Sequence, residues 1–314
     1  MSYGNQQDSN NDPQSAPRQR RAGAGGILGG LLGGAGRSIK MRLFIGLAVA
    51  LFGVVSYYSS AEKNPVTGEV QRIAMSAEQE MALGLQAAPE LLQEMGGGLD
   101  PKRDPRAKLV TAIGEKLAYH TEAAKSPYAQ KRNFHFFLIN DTKTINAFAL
   151  PGGQIFITRA LFDKLQNEAQ LAGVLGHEVG HVIHRHGAQQ MAKQKFGQAL
   201  VSAVGVGAGE QSAVQIAQMV NQFKQLSYGR DDELESDDYG MRLMIEVGYD
   251  PSEMIGVMEI LKAATGGAGR QQEWAQTHPA PESRIEAIKV FLKKNADVIR
   301  TKSLVKDSSG GLMK

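Results

Sequence analysis

Residues 43–58 are uncharged and mostly apolar, and with Ser59, Ser60 and Ala61 they reach about the length that crosses a bilayer's hydrocarbon core. Residues 41–61 therefore read as a transmembrane helix. Beyond them the apolar positions take up helical and strand periods. Ser76 caps a helix carrying Met81, Leu83, Leu85 and Leu91, and after a Gly/Pro/Asp break at 96–105 the period returns through Leu109, Ile113 and Leu117. Strand-like residues are confined to 132–158: segments 134–139, 145–149 and 154–158 are aromatic or β-branched, separated by turns at Asp141-Thr142-Lys143 and Pro151-Gly152-Gly153. Everything further on is helical in pattern, at 160–194, more weakly at 196–227, then at 231–246, 251–264 and 281–295. A small sheet inside a predominantly helical body is α+β organisation.

The flanks complete this division. Residues 1–40, rich in Asn, Gln, Gly, Ser and Pro, are expected to be a disordered basic tail, 62–75 a linker, 76–298 the folded domain and 299–314 a flexible tail. Six basic residues against two acidic ones fall in residues 1–42, whereas the remainder holds 29 against 30. Positive charge immediately before the apolar segment places the N-terminus in the cytoplasm and the domain outside, as a single-pass protein of the inner membrane. A cleaved signal peptide is the alternative, since Ser59-Ser60-Ala61 offers a small-x-small site. A near-neutral body has no bulk electrostatic footprint for nucleic acid, and one Trp with 6% aromatic residues offers few stacking platforms. The absence of cysteine excludes a disulfide scaffold, a Cys-ligated zinc finger and a cysteine nucleophile.

The chemistry centres on His177-Glu178-Val179-Gly180-His181, an HExxH sequence inside an apolar helical pattern. The i, i+4 spacing puts both imidazoles on one helical face, where they can hold one zinc ion with Glu178 beside it as general base. A third ligand is needed. His184 shares the face but lies a further turn along, so the ion would have to leave the His177/His181 bracket to reach it. The segment 230–241 offers carboxylates instead. Glu233, Asp237, Gly240 and Met244 fall on the stripe that turns apolar, while Glu235, Asp238 and Arg242 share the other side, which makes Glu233 the inward carboxylate. One turn on, Asp237 can accept a hydrogen bond from a ligand histidine and fix its tautomer.

HEVGHVIHRH (177–186), the later Glu233 and Asp237, NAFALPGGQIFIT (146–158), and Thr277-His278-Pro279 followed by Ser283-Arg284-Ile285 together resemble the zinc peptidase family of CAAX prenyl proteases, HtpX-like membrane proteases and BepA-like periplasmic proteases. The likeness covers roughly residues 75–295; Ser236 stands where the family usually has Ala. It implies a gluzincin-type domain with one Zn2+ per chain on His177, His181 and Glu233, Asp237 behind them, and His278 and Arg284 in the site. It also implies that the sheet edge around Asn146, Ala147, Gly153, Gln154 and Ile155 receives substrate as an added strand. The expected reaction is endopeptidase hydrolysis of unfolded or damaged envelope and membrane proteins, with Glu178 moving the proton. The competing reading is a metal-free or low-turnover, chaperone-like binding module of the same fold.

Overall fold

The computed structural model describes residues 39–73, 75–194, 227–265, 278, 281–307 and 312. Nearly all of the expected N-terminal tail and of the weak helices at 196–227 lies outside the described residues. The chain divides into two units, residues 1–45 and 46–314. In the first, only the start of helix α1 (Ile39–Ser59) is described. Among the described residues no helix is long and apolar enough to cross a membrane; within α1, nothing is described of the side chains of Ile39, Lys40, Arg42 and Leu43.

The second unit is built around one buried helix. Numbering only the longer helices, these are α2 (Ala77–Glu94), α3 (Pro105–Tyr119), α4 (Glu168–Ile183), α5 (Arg230–Glu246), α6 (Glu253–Thr265) and α7 (Pro281–Lys294). Their starts follow local chemistry. Ser76 and Gln79 form a reciprocal capping box on α2, Asp104 caps α3 ahead of Pro105, and Asn167 Oδ1 accepts the Gln170 N–H on α4. Every residue of α4 is buried, with α3, α5 and α6 packed against it. Covering Leu171, Val174, Leu175 and Val179 contributes roughly 1.5–3 kcal/mol each.

A helix buried on all sides needs small residues where its neighbours come close. A Cβ added at Gly240 of α5 would lie 2.8 Å from His177 N, and one at Gly180 would lie 2.9 Å from Ser236 Cα. The two backbones therefore meet along Gly176, Gly180, Ser236 and Gly240, and this contact sets where the carboxylates of α5 stand relative to the histidines of α4.

Strands β1 (Ala61–Lys63) and β2 (Val70–Arg72) pair antiparallel within the stretch expected to be a linker. That stretch is an ordered hairpin. Its Asn64 and Gln71 side chains donate to the carbonyls of Ile183 and His184 at 2.7 and 2.8 Å, satisfying acceptors that a helix end leaves open. The other sheet contains β3 (His135–Ile139), β4 (Ala147–Leu150) and β5 (Gln154–Thr158) in the order β3-β5-β4, with β3 parallel and β4 antiparallel to the central β5. Phe137, Phe156 and Phe148 stack across all three strands with neighbouring centroids 5.0 Å apart.

The C-terminal segment, expected to be flexible from residue 299, is docked over its described part. Ala169 N–H donates to Lys306 O at 2.8 Å and Glu168 N–H to Asp307 Oδ1 at 2.9 Å, so residues 306 and 307 close the N-terminus of α4. A carboxylate there also meets the positive end of the helix dipole.

Candidate active site

The residues expected to hold zinc converge. His177 Nε2 and His181 Nε2 lie 3.0 Å apart, with Glu233 oxygens 3.5 and 3.4 Å from them. His278 joins the group: its Nδ1 is 2.8 Å from Glu233 Oε1, and all four residues offer donor atoms within 4.8 Å of one another. Ligands about 2.0–2.1 Å from a tetrahedral zinc stand about 3.3 Å apart, so these spacings fit the ion. Glu178, fully buried, has no hydrogen-bond partner for either oxygen among the described residues, and its Oε1 is 3.9 Å from His278 Nε2. A buried carboxylate left so exposed to desolvation is accounted for by a cation and water beside it.

The orientation of His177 comes from α5 and α7. Its Nδ1 donates to Asp237 Oδ1 at 2.8 Å, which leaves the Nε2 lone pair facing the other ligands. Asp237 is held by Arg284 Nε and Nη2 at 2.7 and 2.6 Å, and Arg284 Nη1 forms an ion pair with Glu233 Oε2 at 2.7 Å. Arg284 is 1% exposed, and its fork is engaged by carboxylates.

Electrostatics follow from this burial. Burial pushes the Glu178 carboxyl upward against the lowering charges of His278 and His177. For Glu233 and Asp237 burial pushes the same way, but His278 and Arg284 outweigh it at Glu233, and Arg284 outweighs it at Asp237, so both stay ionised below the usual range. Burial alone would lower His278; the charge of Glu233 raises it instead. His181 is driven well below its ordinary value by burial and is a neutral imidazole.

The expected substrate-binding residues separate. Ala147 lies in β4, whose other edge pairs with no strand among the described residues, and Asn146 immediately precedes it. Gln154 and Ile155, in contrast, belong to central β5, fully buried and paired on both sides. A central strand has no free ladder, so these two residues cannot receive an added strand. Gly153 sits in the preceding turn at φ +107°, where its carbonyl accepts the His135 N–H at 3.0 Å. Tyr228 stacks on His181 at 4.0 Å between centroids, and no sequence pattern singled it out. Together with Ala149, Leu150, Pro151, His181 and Val182 it lines a small cleft between β4 and α4.

A buried HExxH helix facing a second helix of the form ExxxD is the plan of a zinc-dependent peptidase. The model of peptidase family M48 matches residues 105–291, more than half of the chain, which belongs to that family. Similar proteins include the beta-barrel assembly-enhancing protease of Escherichia coli K12, 31% identical over 263 residues, 79% of this chain and 52% of that protein. The mitochondrial metalloendopeptidase OMA1 of Schizosaccharomyces pombe is 28% identical over 258 residues, 82% of this chain and 73% of its own. The human mitochondrial metalloendopeptidase OMA1 is 26% identical over 264 residues, 80% of this chain and 49% of its own. The chain spans about half the length of the bacterial relatives it matches.

Proposed function

We propose that this chain is a membrane-anchored zinc endopeptidase that cleaves unfolded or damaged envelope and membrane proteins. The observation that carries the reading is that β4, whose outer edge pairs with no strand among the described residues, packs against α4, the helix that bears His177, Glu178 and His181. In an antiparallel ladder, paired residues alternate between bonding inward and outward. Thr158 N–H donates to Asn146 O at 3.0 Å, so the outward groups of this edge are those of Ala147 and Ala149. An extended peptide added there is held by its main chain with little demand on its side chains. Such recognition favours chains without stable structure.

His177, His181 and Glu233 would hold the ion, with His278 within reach as a fourth donor. Zinc bound by such a set supplies Lewis-acid activation of water and of a peptide carbonyl. Glu178 takes the proton of the attacking water on its carboxylate and returns it to the leaving amine; its burial-raised pKa suits both transfers. Asp237 orients His177. Arg284 acts through Asp237 and Glu233, as a positioning residue.

The anchor reading rests on residues 41–61 and on α1, where Leu47, Leu51, Phe52, Val55 and Tyr58 are each more than half exposed. Apolar side chains turned outward over several turns suit lipid. The test compares a native protein with its destabilised mutant as substrates, alongside Glu178→Gln. Faster cleavage of the destabilised form by wild type alone is expected. Equal rates at the same sites would refute the unfolded-chain preference, and tight binding with no cleavage by either enzyme would favour the chaperone-like module. A reporter fused after Lys314 is expected to be active only outside the cytoplasm, on a chain that retains residues 1–60; a new N-terminus near Glu62 would replace the anchor by a cleaved signal.

A further inference from the structure

His177 takes its orientation from Asp237, and the second histidine of the motif needs an equivalent, because a neutral imidazole offers a lone pair at one ring nitrogen only. Tyr228, stacked on the His181 ring at 4.0 Å, fixes the plane of that ring but not which nitrogen carries the proton. The nitrogen turned away from the catalytic cluster has a different neighbour. His186 Nδ1 lies 2.9 Å from His181 Nδ1, and His186 Nε2 lies 3.2 Å from Glu235 Oε2 of α5. Both histidines are buried.

We propose that His186 is the positioning residue of His181, standing to it as Asp237 stands to His177, and that Glu235 fixes the tautomer of His186. The inference rests on the reading of His181 as a metal ligand through Nε2, the atom 3.0 Å from His177 Nε2 and 3.4 Å from Glu233 Oε1. A lone pair at Nε2 places the proton of the neutral His181 ring on Nδ1. That N–H donates to His186 Nδ1, which accepts only when the His186 proton is on Nε2, and there it donates to the Glu235 carboxylate. The opposite assignment fails at both ends. His186 Nε2 would turn a lone pair toward Glu235 Oε2, and the His181 proton would sit on Nε2 among the ligand atoms. The Ser236 hydroxyl reaches His186 Nδ1 at 3.3 Å, the longer of the two contacts at that nitrogen.

The backbone is shaped to deliver this ring. His184 caps the C-terminus of α4, and Arg185 then adopts φ +57°, a left-handed conformation uncommon for a residue with a side chain. The turn brings His186 back beside His184, so that their rings lie 5.4 Å apart and 21° from parallel, and His184 Nδ1 stands 3.4 Å from the same Glu235 Oε2. Arg185 is tied down in turn. It donates to Glu80 Oε1 at 2.9 and 2.6 Å and to Met75 O at 2.9 Å, and Glu80 accepts a further bond from Tyr128 at 2.6 Å. Gln71 and Gln189 both donate to the His184 carbonyl, at 2.8 and 2.9 Å. Strained backbone held from several sides is characteristic of functional sites.

The test is zinc affinity, measured by chelator competition on the full chain in detergent. His186→Leu and the smaller His186→Ala, neither with an acceptor, are expected to bind zinc about 10–100-fold more weakly than wild type, the second variant covering any folding defect of the first. His186→Asn puts a carbonyl oxygen where Nδ1 stood and should recover most of that loss, a rescue that packing alone does not produce. Wild-type affinity in His186→Leu and His186→Ala would overturn the proposal, as would an Asn variant no better than they are. Glu235→Ala keeps the acceptor and frees only its tautomer, so it should lose less than His186→Leu and still hydrolyse substrate at saturating zinc; a larger loss would overturn the direction of the chain. A failure of the catalytic-site assignment reads differently: His177→Ala would then bind zinc like wild type, whereas the proposal alone fails when His177→Ala loses zinc and the His186 variants do not.

Discussion

Arg284 donates two hydrogen bonds to Asp237, Nε to Oδ2 at 2.7 Å and Nη2 to Oδ1 at 2.6 Å, and the same Oδ1 accepts from His177 Nδ1 at 2.8 Å. A residue of α7 thus orients a histidine of α4 through a carboxylate of α5. Both partners are 1% exposed, so removing one leaves a buried charge uncompensated. Arg284→Ala is expected to cost about 3–5 kcal/mol in a urea melt and to weaken zinc binding in a chelator competition by about 10–100-fold. Arg284→Lys should not restore either, because a single ammonium cannot reproduce the planar fork.

Glu178 is expected to act on the proton and not to hold the ion. Glu178→Gln should keep wild-type zinc content while hydrolysis of an unfolded protein falls by orders of magnitude. Comparable turnover in the purified variant would remove Glu178 as the base.

Glu233 and Glu235 are separated by about 200° around α5, so one carboxylate alone can face the catalytic ion. Glu233 is fully buried against the histidines, and Glu235 is exposed beside His186. Glu233→Ala should abolish proteolysis, whereas Glu235→Ala should retain it. Activity assays of the two purified variants check this, and the reverse outcome would mean that α5 is rotated relative to α4.

The α4–α5 contact sets the ligand geometry, and Gly240 is its tightest point. A Cβ there meets backbone atoms at 2.8 and 2.9 Å, where no flexible side chain can yield. Gly240→Ala is expected to lower stability by about 1–3 kcal/mol and to reduce zinc content as well, since Glu233 moves away with its helix. A melt paired with metal analysis would show both effects, and a stable, fully loaded variant would contradict the close approach.

Acid stability offers a check away from the metal. Arg106 draws the Asp104 carboxyl, the cap of α3, from its ordinary 3.8 down to about 2. A folded-state value below the unfolded one contributes stability that is present above about 3.8 and disappears as pH falls through about 2. Asp104→Asn keeps a capping acceptor but loses the charge. The stability gap between wild type and this variant should be open at pH 6 and close as pH approaches 2, measured by urea melts in steps of pH.

Several of these features were legible in residue order alone, because they depend on one element at a time. The i, i+4 spacing of His177 and His181 aligns two imidazoles wherever the helix packs, and the apolar stripe through Gly240 and Met244 selects Glu233 and Asp237 as inward. Ser76 and Asp104 cap helices through bonds two or three residues long. Asp141 likewise closes its turn by accepting the Lys143 and Thr144 N–H groups. Other features depend on which surfaces meet, and no periodicity carries that information. The parallel pairing of β3 with β5 makes Gln154 and Ile155 central and leaves Ala147 on the edge. The 62–75 stretch looked like a linker because its hairpin is stabilised by Asn64 and Gln71 reaching more than a hundred residues along the chain. Glu235 was read as facing away from the site, and it does face away from the catalytic ligands; the left-handed turn at Arg185 is what brings His184 and His186 round to meet it. Local spacing determines the face a side chain occupies, whereas its partner is decided by packing between elements distant in sequence.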